Sequence, residues 1–277
     1  MGRLGVSLLI SVYERTEIFR RAYPTWFENK TYPDEVIILN DGADTSLLDI
    51  VDEMADKYRE VSMRYIHRRK ENVGWKNPAI PHNFLVKEAK HSIVLIIDPE
   101  TVFVNDGLPI LKDFYQNKVN RSSSCSACRI YHVQNESKVD GWSTEQITTS
   151  SDITTDPSNP NANAIIYRPC TPAHEYRAWW QQRYVDLGGK DERYTGWGYE
   201  DLDMHHRQQR LHPVGKDACL DDITIVVLGH SPADMTGAGT NQELWNEEGS
   251  KGIPEDGVAN KGKEWGKIQI EEEYKWD

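Results

Sequence analysis

The stretch Thr195-Gly196-Trp197-Gly198-Tyr199-Glu200-Asp201-Leu202-Asp203 places three carboxylates within four positions, directly after a Gly-Trp-Gly turn. Two glycines around one indole let the backbone bend tightly while the ring is held at a surface. Leu202 and Met204 then open an apolar helical pattern that runs through Gln208 and Leu211. Glu200 and Asp201 therefore fall at a helix start, where unpaired amides favour negative charge. A carboxylate held there stays ionised and aimed, as a catalytic base must be. A bare Glu-Asp pair would read as an acidic N-cap, but a cap does not require the aromatic that precedes this one.

Asp98-Pro99-Glu100 sets two carboxylates two residues apart after an apolar run. Hard oxygen ligands in that pattern suit Mg²⁺ or Mn²⁺, ions commonly shared with a diphosphate. The same residues suit a strand-ending turn equally well. Asp41-Gly42 also has two readings, as a turn or as an acceptor for a pyrimidine ring N–H. His230 follows the apolar run Ile223–Leu228 and Gly229. Its imidazole is better matched to Mn²⁺ than to Mg²⁺, and a structural histidine is the competing reading.

These residues need a frame. Leu4–Val12 is a continuous apolar run, as in a strand buried on both faces. Further strands are expected at Val36–Leu39, Val61–Ile66 and Ile93–Ile97, with helices at Thr16–Glu28, Ser46–Tyr58 and Asn83–Lys90 between them. That alternation implies a mostly parallel sheet with right-handed crossovers. Ligands of such sheets bind beyond the carboxyl ends of the strands, and Tyr13, Asp41 and Asp98 all lie just past strand ends. Downstream, a helix is expected at Leu108–Gln116, strands at Ser124–Val133 and Ala164–Tyr167, a polar turn-rich excursion at Ser137–Asn163, and a helix at Pro172–Leu187.

The chain of 277 residues suits one large α/β domain, or a domain with an appendage. A net charge of −12 argues against binding polyanions over the whole surface, so nucleic acid is disfavoured as a partner. Half of that charge lies in residues 231–277, with 11 acidic and 5 basic side chains, which reads as an acidic tail or lid. Cys125-Ser126-Ala127-Cys128 has the spacing of half a zinc site or a redox pair, but its small-residue strand context favours buried hydrophobes. A reducing compartment is the default for such cysteines. No membrane span or signal peptide is visible, so a cytoplasmic location is expected.

Taken in order, Val6-Ser7-Leu8-Leu9-Ile10-Ser11-Val12-Tyr13, Thr31 to Asp44 around Asp41-Gly42, Asn72-Val73-Gly74, Pro81-His82-Asn83, Asp98-Pro99-Glu100 and Trp197-Gly198-Tyr199-Glu200-Asp201 resemble a family 2-like glycosyltransferase of the GT-A fold. The resemblance spans roughly residues 4 to 230. It implies a Rossmann-like α/β sheet flanked by helices, with residues 1–230 as the catalytic domain. Residues 1–105 would be its nucleotide-sugar half and 106–230 its acceptor half, with 231–277 as the C-terminal extension. It implies a nucleotide-sugar donor, a UDP-sugar by default, and a divalent metal, Mn²⁺ or Mg²⁺. Ser11, Tyr13, Asp41, Asn83, Asp98 and Trp197 would hold the donor. Asp98, Glu100 and His230 would bind the metal. Asp201 would be the catalytic base, with Glu200 hydrogen-bonding a sugar and Trp197 stacking on one. The reaction would invert the anomeric centre, and the acceptor would be a hydroxyl, by default on a saccharide.

Three departures stand out. Glu100 replaces a second Asp, Asn40 stands where an Asp is common, and Tyr199 replaces a small residue. A nucleotidyltransferase would need a Gly-rich basic loop after the first strand, where Ser11-Val12-Tyr13-Glu14-Arg15 has no glycine. A non-catalytic nucleotide- or sugar-binding scaffold on the same fold competes with the transferase reading. So does glycosylation of a modified nucleobase in place of a saccharide.

Overall fold

Leu4 onward behaves as its composition demands: β1 (Val6–Val12) is buried along nearly its whole length and sits at the centre of a sheet. The computed structural model describes residues 4–28, 30–42, 45–68, 78–134, 143–151, 153–154, 165–169, 176–196, 198–211, 217–229, 238–249 and 258–276. β2 (Glu35–Asn40), β3 (Ser62–Arg68) and β4 (Ile93–Ile97) join β1 in parallel, in the order β3-β2-β1-β4. The helices Thr16–Ala22, Leu48–Lys57 and Ala79–Glu88 make the connections, as the alternation requires.

Beyond β4 the directions mix. β5 (Thr101–Phe103), β6 (Ser124–Val133), β9 (Tyr176–Trp180) and β10 (Ala218–Val227) continue the sheet as β4-β9-β6-β10-β5. β9 enters antiparallel between β4 and β6, while β6 and β10 pair in parallel. β7 (Ile153–Thr154) and β8 (Ile165–Pro169) attach beside β6. Between Ser137 and Asn163, a helix at Thr144–Thr149, capped by Ser143, stands in the expected loop. Pro172–Leu187 is not one helix. Its aromatics alternate across β9, Tyr176 and Trp180 onto one core and Trp179 into the other, and the helix is only Gln181–Asp186. Tyr and Trp fill a pleated surface well, and a period of two prevailed over the helical reading.

Alternate residues of the central strands feed two cores. Leu8, Ile10, Val36 and Ile38 pack with Phe19, Trp26, Val51 and Met54 on one face. Leu9, Ile37, Leu39 and Ile96 pack with Leu85, Leu187 and Met204 on the other. The second face thus carries the helices Ala79–Glu88 and Glu200–Leu211, and this layering sets Glu200 and Asp201 against the sheet.

By composition residues 231–277 read as an acidic tail or lid, and their described parts pair with the body. β11 (Ile270–Trp276) adds antiparallel to β3, and Arg64 of β3 reaches Glu273 at 2.7 Å. Tyr274 stacks on Tyr65. Upstream, Asn260 Nδ2 donates to the carbonyls of Gly188 (2.9 Å) and Lys190 (2.8 Å). Asn241, in the helix Ala238–Leu244, accepts from the backbone N–H groups of Thr195 and Gly196 (both 3.2 Å) and donates to the carbonyls of Gly196 and Gly198 (both 2.8 Å). These described parts are structural members of the body. Many of their charged side chains face water, so the composition reads as a tail although the backbone is paired.

The cysteines also depart from expectation. Cys125 is a buried free thiol beside Tyr115, and Cys128 is a half-buried free thiol, in keeping with the structural reading of that pair. Cys219, on β10, is disulfide-bonded to a partner outside the described residues. A disulfide is a feature of oxidising compartments and does not support the reducing default. Among the described residues no helix is long and apolar enough to cross a membrane.

Candidate active site

Because β1 to β4 are parallel, their carboxyl ends share one edge. Tyr13, Asp41, Arg68 and Asp98 all lie there. After β4 the chain must reverse, and Pro99 suits the second position of the turn that does so. The Thr101 N–H donates to the Asp98 carbonyl at 3.0 Å, closing a four-residue turn that carries both Asp98 and Glu100. Trp26 Nε1 donates to the Thr101 carbonyl at 2.7 Å and anchors it. Burial and the Glu100 carboxylate raise the Asp98 pKa above its ordinary value. Arg15, just past β1, meets Glu100 Oε1 at 2.6 Å.

This pair tests whether a divalent cation would suit the site. Two carboxylates on one tight turn, with Asp98 driven toward its proton by burial and by Glu100, are a donor set that a divalent cation would relieve. The third ligand expected is His230, which lies outside the described residues. The backbone two residues before it does meet the turn, since the Leu228 N–H donates to the Glu100 carbonyl at 3.1 Å. Asp98 and Glu100 are hard oxygen donors suited to such a cation, and among the described residues no third His, Cys, Asp or Glu joins them.

The Glu200–Leu211 helix begins where its sequence implies. Gly198 (φ 79°) and Tyr199 (φ 75°) both take the left-handed conformation just before it. For tyrosine that backbone costs about 1–3 kcal/mol. The strained turn is held by Asn241 from below, while Trp245 packs against Tyr199. Trp197 lies outside the described residues. Glu200 is buried, and the Asp201 side chain is 32% exposed. Asp201 is near enough to Asp98 for its charge to raise the Asp98 pKa. The two acidic motifs, about a hundred residues apart in the chain, therefore lie within electrostatic reach of one another.

Beside Asp201 stands a residue the sequence reading missed. Lys190 Nζ lies 2.6 Å from Asp201 Oδ1, 3.9 Å from Glu200 Oε1 and 2.9 Å from His82 Nδ1, and its side chain is 5% exposed. Burial, then the Lys190 ammonium, push the His82 pKa well below its usual value, so the ring is neutral and accepts from Nζ. Burial acts to raise the Asp201 pKa, but the Lys190 ammonium, with Arg177, outweighs it and holds the carboxyl below its ordinary value. The only signal for Lys190 was the Gly188-Gly189 pair before it. Gly188 (φ 75°) and Gly189 (φ 71°) are both left-handed, and a side chain on Gly188 would collide with the Ala259 carbonyl.

Asn83, expected at the donor, is wholly enclosed and serves this loop. Its Oδ1 accepts from Tyr184 Oη (2.9 Å) and the Lys190 N–H (2.8 Å). Its Nδ2 donates to the Lys190 carbonyl (2.9 Å) and Glu192 (3.0 Å). With every amide position occupied by protein, Asn83 has no group left to offer a sugar. Arg207, fully buried, adds hydrogen bonds to the carbonyls of Leu187 (2.6 Å) and Gly189 (2.7 Å), and to Asp203 (2.8 Å).

At the nucleoside end, Ser11 is half-buried near the end of β1, and Tyr13 lies close enough to Asp41 for that charge to raise its pKa, together with burial and Glu14. Asp41 is buried against Arg68 Nη1 at 2.7 Å. Burial pushes its pKa up to about 6 despite that guanidinium. Arg68 was also not foreseen, because a single arginine at a strand end carries no local signal.

No protein-family model matches this chain. No curated protein matches it in sequence. Its likeness is in structure. The mannosyltransferase PcManGT from Pyrobaculum calidifontis, in complex with GDP-Man and Mn²⁺, superposes with a TM-score of 0.55 at 13% identity, covering 94% of this chain and 66% of that one. GalNAc-T7 with UDP, GalNAc and Mn²⁺ superposes with a TM-score of 0.61 at 14% identity, covering 90% and 49%. This chain thus spans less than two thirds of either protein's length. Both are GT-A-like glycosyltransferases, and at these identities what is shared is the fold.

Proposed function

We propose that this chain is a metal-dependent glycosyltransferase that moves a sugar from a nucleotide-sugar to an acceptor hydroxyl, by default on a saccharide, with inversion. The observation that carries the reading is the Asp98-Pro99-Glu100 turn at the carboxyl end of β4, with Asp201, held by Lys190 at 2.6 Å, within electrostatic reach of it. The fold shared with two glycosyltransferases supports it.

In this reading Ser11, Tyr13 and Asp41 hold the nucleoside. Asp41 accepts a ring N–H, which uracil carries at N3 and guanine at N1, and a UDP-sugar is kept as the default donor. Asp98 and Glu100, with His230, hold the divalent ion, for which Mn²⁺ is the better match to an imidazole. When bound, that ion stabilises the negative charge of the departing diphosphate. Arg15 keeps Glu100 oriented from the β1 side. Trp197 stacks on a sugar face and Glu200 hydrogen-bonds a sugar hydroxyl. Asp201 accepts the acceptor proton. As the new bond forms, the acceptor oxygen becomes a cationic ether, a far stronger acid than any carboxylic acid. A carboxylate of depressed basicity is therefore sufficient, provided it is ionised and aimed. Asn83 is reassigned from donor contact to positioning.

The test is release of nucleoside diphosphate from a panel of UDP- and GDP-sugars with Mn²⁺. Asp201→Asn should lower turnover about 10²–10⁴-fold while calorimetric binding of the nucleoside diphosphate with Mn²⁺ stays intact. Glu100→Ala should weaken the Mn²⁺ dependence of donor binding. A wild-type protein that binds no nucleotide in the presence of Mn²⁺ would refute the reading.

A further inference from the structure

Lys190 is built into the molecule more firmly than a chance ion pair requires. Its backbone N–H and carbonyl are both taken by Asn83, its carbonyl is also held by Asn260, and the glycine before it is fixed by Arg207. Three elements remote in sequence thus fix one short loop: the Ala79–Glu88 helix, the Glu200–Leu211 helix and the C-terminal strap. The loop's one functional outcome is the position of the Lys190 ammonium. His82, on the same helix as Asn83, supplies a neutral nitrogen that directs Nζ from behind. A point charge on a flexible stem needs such an acceptor to hold one direction. The remaining direction leads to Asp201.

Resting on the function proposed above, we infer that Lys190, oriented by His82, is the positioning residue that aims the Asp201 carboxylate at the acceptor. Geometry carries this assignment. Asp201 sits at the start of its helix with a third of its side chain exposed, and the 2.6 Å contact to Lys190 fixes one carboxylate oxygen. The other oxygen is left to face the incoming hydroxyl. The charged groups facing Asp201 are Lys190, Arg177 of β9, Asp98 and Glu200, with neutral His82 and Tyr184 beside them. Among these, Lys190 is the one cation with a hydrogen bond to it.

The experiment has two arms. In the first, donor turnover with Mn²⁺ is measured for wild type, Lys190→Met and Lys190→Arg. Lys190→Met should lower kcat about 10²-fold, the scale of a mis-aimed reacting group, with the donor KM little changed. Lys190→Arg should recover part of the loss. A kcat for Lys190→Met equal to wild type would overturn the assignment. So would a loss confined to KM.

The second arm does not depend on turnover. The Asp201 carboxyl is followed by ¹³C NMR between pH 4.5 and 8, assigned by difference from Asp201→Asn. It should remain ionised throughout in wild type and in Lys190→Arg. In Lys190→Met, where burial is no longer opposed by the ammonium, its midpoint should rise far enough for proton uptake to enter that range. An Asp201 that takes up its proton within that range in the wild-type protein would overturn the assignment without any variant. If wild type releases no nucleoside diphosphate from any donor, the proposed function fails and the NMR arm still decides whether Lys190 governs Asp201.

Discussion

Replacing Asn83 separates the two roles it could have. Asn83→Ala removes four hydrogen bonds, but they are not of equal consequence. The Lys190 carbonyl keeps Asn260 as a donor at 2.8 Å, and Glu192 keeps the Gly266 N–H at 2.6 Å. The groups left without the bonds they make to Asn83 are the Lys190 N–H and the hydroxyl of Tyr184, both in buried surroundings. A buried polar group deprived of its partner costs about 1–3 kcal/mol, so two cost about 2–6 kcal/mol. The space vacated by the amide adds to this. Urea unfolding should show a lower midpoint at unchanged slope, the signature of lost stability without a change in the unfolded chain. Asn83→Asp is the sharper version. It is nearly isosteric and keeps the Oδ1 acceptor, but it turns a donor into an anion facing the Lys190 carbonyl and Glu192. It should be at least as destabilising as alanine. Donor KM should move little for either variant under conditions where both are folded. A protein of wild-type stability with a donor KM raised tenfold would refute the structural assignment and restore Asn83 to the donor site.

Two further outcomes follow from the same geometry. Asp41 has its folded pKa raised from 3.8 to about 6, chiefly by burial, so the folded state keeps this proton to higher pH than the unfolded chain does. The stability this contributes is complete below about pH 4 and is lost as pH rises through 6, worth about 3 kcal/mol in all. The difference in unfolding free energy between wild type and Asp41→Asn should change across that window, and a flat difference from pH 4 to 7 would show that Asp41 does not titrate there. Deleting residues 258–277 removes β11, the Glu273 partner of Arg64 and both Asn260 bonds to the Lys190 loop. It should lower the thermal midpoint along with turnover, whereas a lid would affect turnover at unchanged thermal stability.

The central strands were legible in the chain because each is a short apolar run bounded by turn residues, and burial on both faces leaves no other solution. The helix start at Glu200 was legible for a similar reason: glycines, then acids, then an apolar period. The Asp98-Pro99-Glu100 turn followed from the same punctuation. β9 was misread because a run of aromatics suits a helix and a strand equally, and only its neighbours β4 and β6 settle the period. β11 was misread because an edge strand with charged side chains has the composition of a solvated tail.

What the sequence by itself determined is therefore local: where strands end, where a helix begins, and which acidic groups stand at those ends. Hydrophobic pattern and turn chemistry are encoded within a few residues of where they act. Only the tertiary structure decided that Lys190 pairs with Asp201, that His82 stands behind that lysine, and that Asn83 serves the loop rather than a ligand. The last two facts depend on contacts between residues about a hundred positions apart, and a polar side chain carries no mark of its distant partner until the cores on the two faces of the sheet have closed.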